Sequence, residues 1–127
     1  MRALIVDDSR AMRSILKKFL TSEGFGTLFE AGDGAEALAA LRRNGTVHLA
    51  LVDWNMPRMN GLEFIAALRA DRVYDGVRVM MVTTEAEASQ VARALEAGAD
   101  EYVMKPFTSE VLRGKLDLLG FAGPPDA

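Results

Sequence analysis

Asp7, Asp8, Asp53, Thr83 and Lys105 are the residues of this 127-residue chain whose types and spacing suit chemistry on a phosphate. Each stands where a short apolar run stops. Ala3-Leu4-Ile5-Val6 runs into Asp7-Asp8, Leu49-Ala50-Leu51-Val52 into Asp53, Val79-Met80-Met81-Val82 into Thr83, and Tyr102-Val103-Met104 into Lys105. At an effective dielectric near 20, two carboxylates about 4 Å apart repel by roughly 4 kcal/mol, so three of them in one crevice would raise one another's pKa values or recruit a cation. Oxygen ligands without His or Cys select Mg2+ over zinc. A carboxylate beside such an ion is a competent nucleophile for phosphoryl transfer, a reaction governed by positioning and charge neutralisation. Lys105 would add a compact positive donor and Thr83 a hydroxyl.

What must position them is a parallel sheet. Apolar runs of this length, bounded by turn signals and separated by helical patterns, read as buried strands. If all point one way, their carboxyl ends share one edge, and open α/β sheets bind ligands at that edge. Between the runs, Ser9 caps a helix with an apolar face of Met12, Ile15, Leu16, Phe19 and Leu20, stopped at Gly24. A weaker strand over residues 26–31 suits a sheet edge. Asp33 with Glu36 opens a helix through Leu38 and Leu41 that stops at Asn44-Gly45. Asn60 with Glu63 precedes Leu62, Ile65 and Leu68. Thr84 with Glu87 precedes Val91 and Leu95, with Gly98 as the stop. Thr108 or Ser109 caps a last helix carrying Val111, Leu112, Leu116 and Leu119. The sum is a strand-helix unit repeated five times, a doubly wound α/β domain with right-handed crossovers and helices on both faces. It occupies residues 1–120, with 121–127 as a short tail.

Taken singly, each chemical residue has a plainer reading. An Asp after a strand is a helix cap, Lys105 before Pro106 a solvated turn residue, Thr83 a strand-end cap, and Tyr102 a half-buried packing residue. Only their joint placement at successive strand ends carries the functional reading. Other chemistries lack support. A net charge of −3, with pI near 5.2, argues against direct nucleic-acid binding. The chain has no cysteine, which removes disulfides and thiolate metal sites. No phosphate-cradling glycine motif occurs. His48, the sole histidine, falls at the start of the third strand, at the far end from the carboxylates. The methionines read as packing residues, and Arg10, Arg13, Lys17 and Lys18 as a solvated helix face near the site. No apolar run reaches the roughly 18 residues of a membrane span. A cytoplasmic protein without membrane insertion is expected.

At these residues the sequence resembles a receiver domain of a bacterial two-component response regulator. The resemblance runs from about Arg2 to Leu119. It rests on the acidic pair Asp7-Asp8, the segment Asp53-Trp54-Asn55-Met56-Pro57-Arg58-Met59-Asn60-Gly61, the Thr83 strand end and Lys105-Pro106-Phe107, all in order. The segments at residues 81–86 and 102–108 more narrowly resemble the stand-alone chemotaxis regulators. The resemblance implies strand order 2-1-3-4-5 and a phosphoryl group taken by Asp53 from a histidine kinase. It implies Mg2+, with Mn2+ able to substitute, held by Asp8, Asp53 and the Asn55 carbonyl, with Asp7 contributing directly or through water. Lys105 would pair with the phosphoryl group and Thr83 would move to bond it. Tyr102 would then turn inward and change the surface of the fourth helix, fifth strand and fifth helix.

The same resemblance implies that Asn55 and Glu85 tune hydrolysis of the aspartyl phosphate, and that the Lys105-Pro106 bond is cis. Thr84 departs from the smaller Ala usual in the chemotaxis relatives, a departure that bears on the strength of the switch. The expected partners are a histidine kinase and a downstream protein, with the flagellar motor switch as the candidate for a chemotaxis pathway. A monomer is expected, catalysing only its own phosphorylation and dephosphorylation. An aspartate-nucleophile phosphatase of the haloacid dehalogenase kind uses similar residues. It places a second Asp two residues after the nucleophile, where Asn55 stands here, and needs a cap for which the chain has no room. A receiver belonging to a multidomain regulator is the other alternative. The Asp53-Trp54-Asn55 segment and the early end of the chain favour a stand-alone protein. Independently of any resemblance, the Ala-rich segment from Thr84 to Ala97 offers few large anchors, as a movable element would.

Overall fold

Side chains apolar on both faces of a strand are satisfied only between two helical layers, and that is how the runs are used. In the computed structural model, which describes residues 1–84 and 89–123, the strands are β1 (Arg2–Val6), β2 (Thr27–Ala31), β3 (Leu49–Asp53), β4 (Arg78–Thr84) and β5 (Glu101–Lys105). They form one parallel sheet in the order β2-β1-β3-β4-β5. The helices are α1 (Arg10–Ser22), α2 (Gly34–Asn44), α3 (Gly61–Ala70), α4 (Val91–Ala97) and α5 (Ser109–Leu118), with a 3-10 turn at Arg72–Tyr74. The weak second strand is an edge strand, and β1 and β3 meet at the point where the order reverses.

Alternation along the strands sorts the core into two layers. Ala3, Ile5, Leu49, Leu51, Met80, Val82 and Val103 pack with Leu16, Phe19 and Leu20 of α1 and with Leu112 and Leu116 of α5. Leu4, Val6, Ala50, Val52, Val79 and Met81 pack with α2, α3 and α4. A side chain added at a strand end inherits the face of the residue two before it. Asp7, Asp53 and Lys105 therefore continue the α1/α5 face, whereas Thr83 continues the α2/α3/α4 face.

The helix signals hold with instructive exceptions. Ser9, Asp33, Asn60 and Thr108 each accept a backbone N–H as N-caps. Asn60 and Glu63 form the full reciprocal box, but Asp33 and Glu36 form half of one, and Glu36 lies 3.8 Å from Arg58 instead. Thr84 is the last residue of β4, and the cap expected of it with Glu87 lies outside the described residues. The described α4 begins at Val91, behind Gln90, which makes no side-chain cap bond. Gly98, in the left-handed region at φ 123°, ends it as expected.

Ile15, Leu95 and Val111, expected on buried faces, are exposed. Each sits one helical step (about 100°) from the true stripe, which is centred on Leu16, Ala94 and Leu112 respectively. Phe121, the first residue of the tail, packs on the domain: its ring lies 5.6 Å from that of Phe25, and its N–H donates to the Leu116 carbonyl. His48 accepts from the Arg2 N–H at 3.0 Å, at the end of the sheet away from the acids.

Candidate functional site

Three strand ends deliver the carboxylates to one rim. Asp7 follows β1 and its N–H still donates to Ala31 of β2, so the ladder aims it. Asp53 ends β3 and pairs in register with Val82. One carboxylate oxygen from each of Asp7, Asp8 and Asp53 lies within 4.8 Å of the others. Asp7 and Asp53 are buried and Asp8 is exposed, so the cluster opens to solvent on the Asp8 side. The Lys105 ammonium reaches across from β5, 3.4 Å from Asp7 and 3.6 Å from Asp53. These distances exceed the roughly 2.7–2.9 Å of a tight charge-assisted bond, so one cation is shared loosely between two anions. Among the described residues, these three carboxylates and one ammonium sum to a formal charge of −2. An all-oxygen donor set with that charge fits a hard divalent cation.

The acids are themselves held. Asp7 Oδ1 accepts the Ser9 N–H at 2.8 Å, so the residue that caps α1 also orients the carboxylate. The Arg13 guanidinium donates to the Asp7 carbonyl and pairs with Glu30 at 3.1 Å. Arg13 is thus a half-buried bracket, where the sequence read only a solvated charge; Arg10, Lys17 and Lys18 are exposed as expected. Nothing in the spacing distinguishes Arg13 from its neighbours, because its partner Glu30 comes from β2.

The loop after Asp53 is fastened at its base, where the Gly61 N–H donates to the Trp54 carbonyl at 2.9 Å. A Cβ at Gly61 would lie 2.5 Å from the Asp53 carbonyl oxygen, so a glycine is needed for α3 to start this close to the end of β3. Asn55 is exposed on this loop and Trp54 is half-buried. Farther along, Arg58 stands at φ 63° with its guanidinium on Asp33, whose side chain is fully buried. Burial alone would raise the Asp33 carboxyl. The Glu36 amide, the Arg58 guanidinium and the Ala35 amide outweigh it and hold the group below the ordinary carboxylate value. Neither Arg58 nor Asp33 stood out as a pair in the sequence, since 25 residues separate them.

Thr83 is buried at the neighbouring rim position, its hydroxyl donates to the Thr84 carbonyl at 3.4 Å, and alternation along β4 assigns its side chain to the face opposite that of Lys105. Tyr102 pairs in register with Met81 and packs against that same layer, and the Lys115 ammonium sits 4.4 Å above its ring. Glu85 lies outside the described residues. The Lys105-Pro106 bond is cis. The geometry therefore joins Asp7, Asp8, Asp53 and Lys105 in one cluster and puts Thr83 and Tyr102 together on the layer behind it.

Comparison with known proteins bears on the family and the fold. Residues 3–117 match the response regulator receiver domain family. A chemotaxis protein CheY homolog of Campylobacter jejuni is 46% identical over 121 residues, covering 94% of this chain and 93% of the relative. Chemotaxis protein CheY1 of Helicobacter pylori (strain J99) is 41% identical, with 94% and 96% covered. The solved structure of chemotaxis response regulator CheY4 of Vibrio cholerae superposes with a TM-score of 0.83 at 32% identity, over 93% of this chain and 97% of that one. The chain belongs to the response regulator receiver domain family and is similar over most of its length to the CheY-type chemotaxis regulators.

Proposed function

We propose that this chain is a phosphorylation-activated switch in which Asp53 accepts a phosphoryl group from a histidine kinase. The observation that carries the proposal is the gathering of Asp7, Asp8, Asp53 and Lys105 at one strand-end rim. An Asp53 carboxylate oxygen forms the new O–P bond as the P–N bond to the donor imidazole breaks, and the departing ring nitrogen takes a proton. Lys105 is shared loosely by two carboxylates, and it turns to the incoming phosphoryl oxygens without leaving its place. Asp8, Asp53 and the Asn55 carbonyl, with Asp7 directly or through water, would hold Mg2+ or Mn2+. When bound, the ion neutralises charge that builds on the phosphoryl oxygens.

Thr83 and Tyr102 carry the signal onward. Both lie on the layer that packs against α4, one strand apart, so a hydroxyl drawn to the phosphoryl group vacates space behind it that the Tyr102 ring fills. The surface of α4, β5 and α5 changes with it, and a protein partner reads that change. Asn55 and Glu85 set the lifetime of the aspartyl phosphate, and the protein acts on no phosphate but its own. The chemotaxis relatives support a role in that pathway, and the reading extends to a cytoplasmic protein whose partner is the flagellar motor switch. Trp54, next to Asp53, supplies the test. Millimolar Mg2+ and then acetyl phosphate should each change its fluorescence, and Asp53→Asn should keep the fold and lose the acetyl phosphate response. A full response in that variant would place the nucleophile elsewhere and end this reading.

A further inference from the structure

We infer that Arg58 is a positioning residue for the phosphoacceptor loop: its bond to the buried Asp33 fixes the course of residues 54–60, on which the Asn55 carbonyl rides. The inference rests on the proposed use of that carbonyl at the site, and it adds a residue to which no role there has been given.

Three fastenings define the loop. The Gly61 N–H closes its base on Trp54. The Gly34 N–H, at the first residue of α2, donates to the Met59 carbonyl at 3.0 Å, and a Cβ on Gly34 would meet the Met59 side chain at 2.6 Å. Arg58 then reaches Asp33 with Nε at 2.8 Å and with Nη2 as well. The loop is thereby tied to α2, an element outside its own strand and helix.

Arg58 is the one non-glycine with positive φ among the described residues. Arginine has no intrinsic preference for the left-handed region, which Gly or Asn occupies more readily. A residue held there against its preference needs surroundings that over-determine it, and strain of this kind gathers at functional sites. The long side chain with its two-pronged hold on Asp33 is that determinant. A plainer account is that Arg58 merely neutralises the cap of α2. Its own side chain is largely exposed, and exposed ion pairs are weak. Asp33, however, is shielded from water, and its other oxygen already has the Glu36 N–H. The pair thus adds a side-chain tie between a rigid helix start and the loop, beside the single backbone bond from Gly34 to Met59.

The two accounts separate in a Mg2+ titration followed by Trp54 fluorescence, run beside urea unfolding. Arg58→Gly removes the guanidinium and relaxes the backbone; Asp33→Asn keeps the cap acceptor and removes the charge. Each should weaken Mg2+ binding roughly tenfold, the scale seen when a group supporting a metal ligand is lost. Each should raise the KM for acetyl phosphate while cooperative unfolding is retained. The double variant should bind Mg2+ no more weakly than either single one, because both break one link. Variants that lose stability yet keep Mg2+ affinity and KM within about twofold of the parent would overturn the inference and leave the switch reading intact. A parent protein with no Mg2+ response at all would overturn both.

Discussion

Helices α3 and α4 flank the same β4 strand and pack on the same layer, yet they are held in opposite ways. α3 opens with a full capping box and buries Phe64, Ile65 and Leu68 completely. Burial of side chains of that size stabilises by about 1.5–3 kcal/mol each. The described part of α4, Val91–Ala97, makes no side-chain cap bond at Gln90, and its one fully buried residue is Ala94. Its firmest tie is at the far end, where Arg69 donates to the Gly98 carbonyl at 3.0 Å and also pairs with Asp100. The contrast teaches how one sheet edge serves two tasks. On the proposed reading, the helix that follows the Asp53 loop keeps the acids at their spacing. The helix that follows Thr83, with fewer large buried side chains, is then the one that a small local bias would shift.

The largest expected effect breaks this comparison directly. Phe64→Ala should cost about 3–5 kcal/mol in urea unfolding, from lost transfer energy and a cavity that fixed neighbours cannot fill. Ala94→Gly should cost about 1 kcal/mol, mostly helix propensity. Equal losses in the two variants would mean that α4 is as firmly built as α3, and the division of labour would fail.

Much of this was legible in the chain itself. The four rim positions could be read because each is the polar stop of an unbroken apolar run, a pattern that survives any uncertainty in helix ends. Capping by Ser9, Asn60 and Thr108 could be read because the cap and its target lie three residues apart. What escaped depends on contacts between distant segments. Arg13 with Glu30, and Arg58 with Asp33, are chemically ordinary until the fold brings them together. The phase of α4 escaped for a different reason. Alanine is apolar but small, so a helix rich in it gives no periodic signal, and the eye settles on Leu95 and Val91.

A smaller effect sharpens the α3 side of the comparison through pH. The Asp33 carboxyl is held below its usual value of 3.8 in the folded protein. A carboxyl depressed by folding contributes stability that is fully present above its unfolded pKa and lost as pH falls through the folded one. The loss therefore belongs below about pH 4. Asp33→Asn should flatten that acid limb of the stability curve, and Arg58→Gly should flatten it in part, because the Glu36 amide remains. An unaltered limb in Asp33→Asn would show that the loop's tie to α2 stores no charge energy.

The smallest expected effect concerns Leu95, which periodicity would place in the core and which stands 42% exposed. Ala94 occupies the core-facing position one residue earlier, and the turn of about 100° per residue carries Leu95 off the centre of that face. Leu95→Ala should therefore change unfolding free energy by less than about 0.5 kcal/mol, the range of surface substitutions. The same change at a buried leucine such as Leu68 would cost about 2–5 kcal/mol. A loss of that larger size at Leu95 would rotate α4 by one residue, bury the leucine, and supply the anchor whose lack makes this helix the movable one.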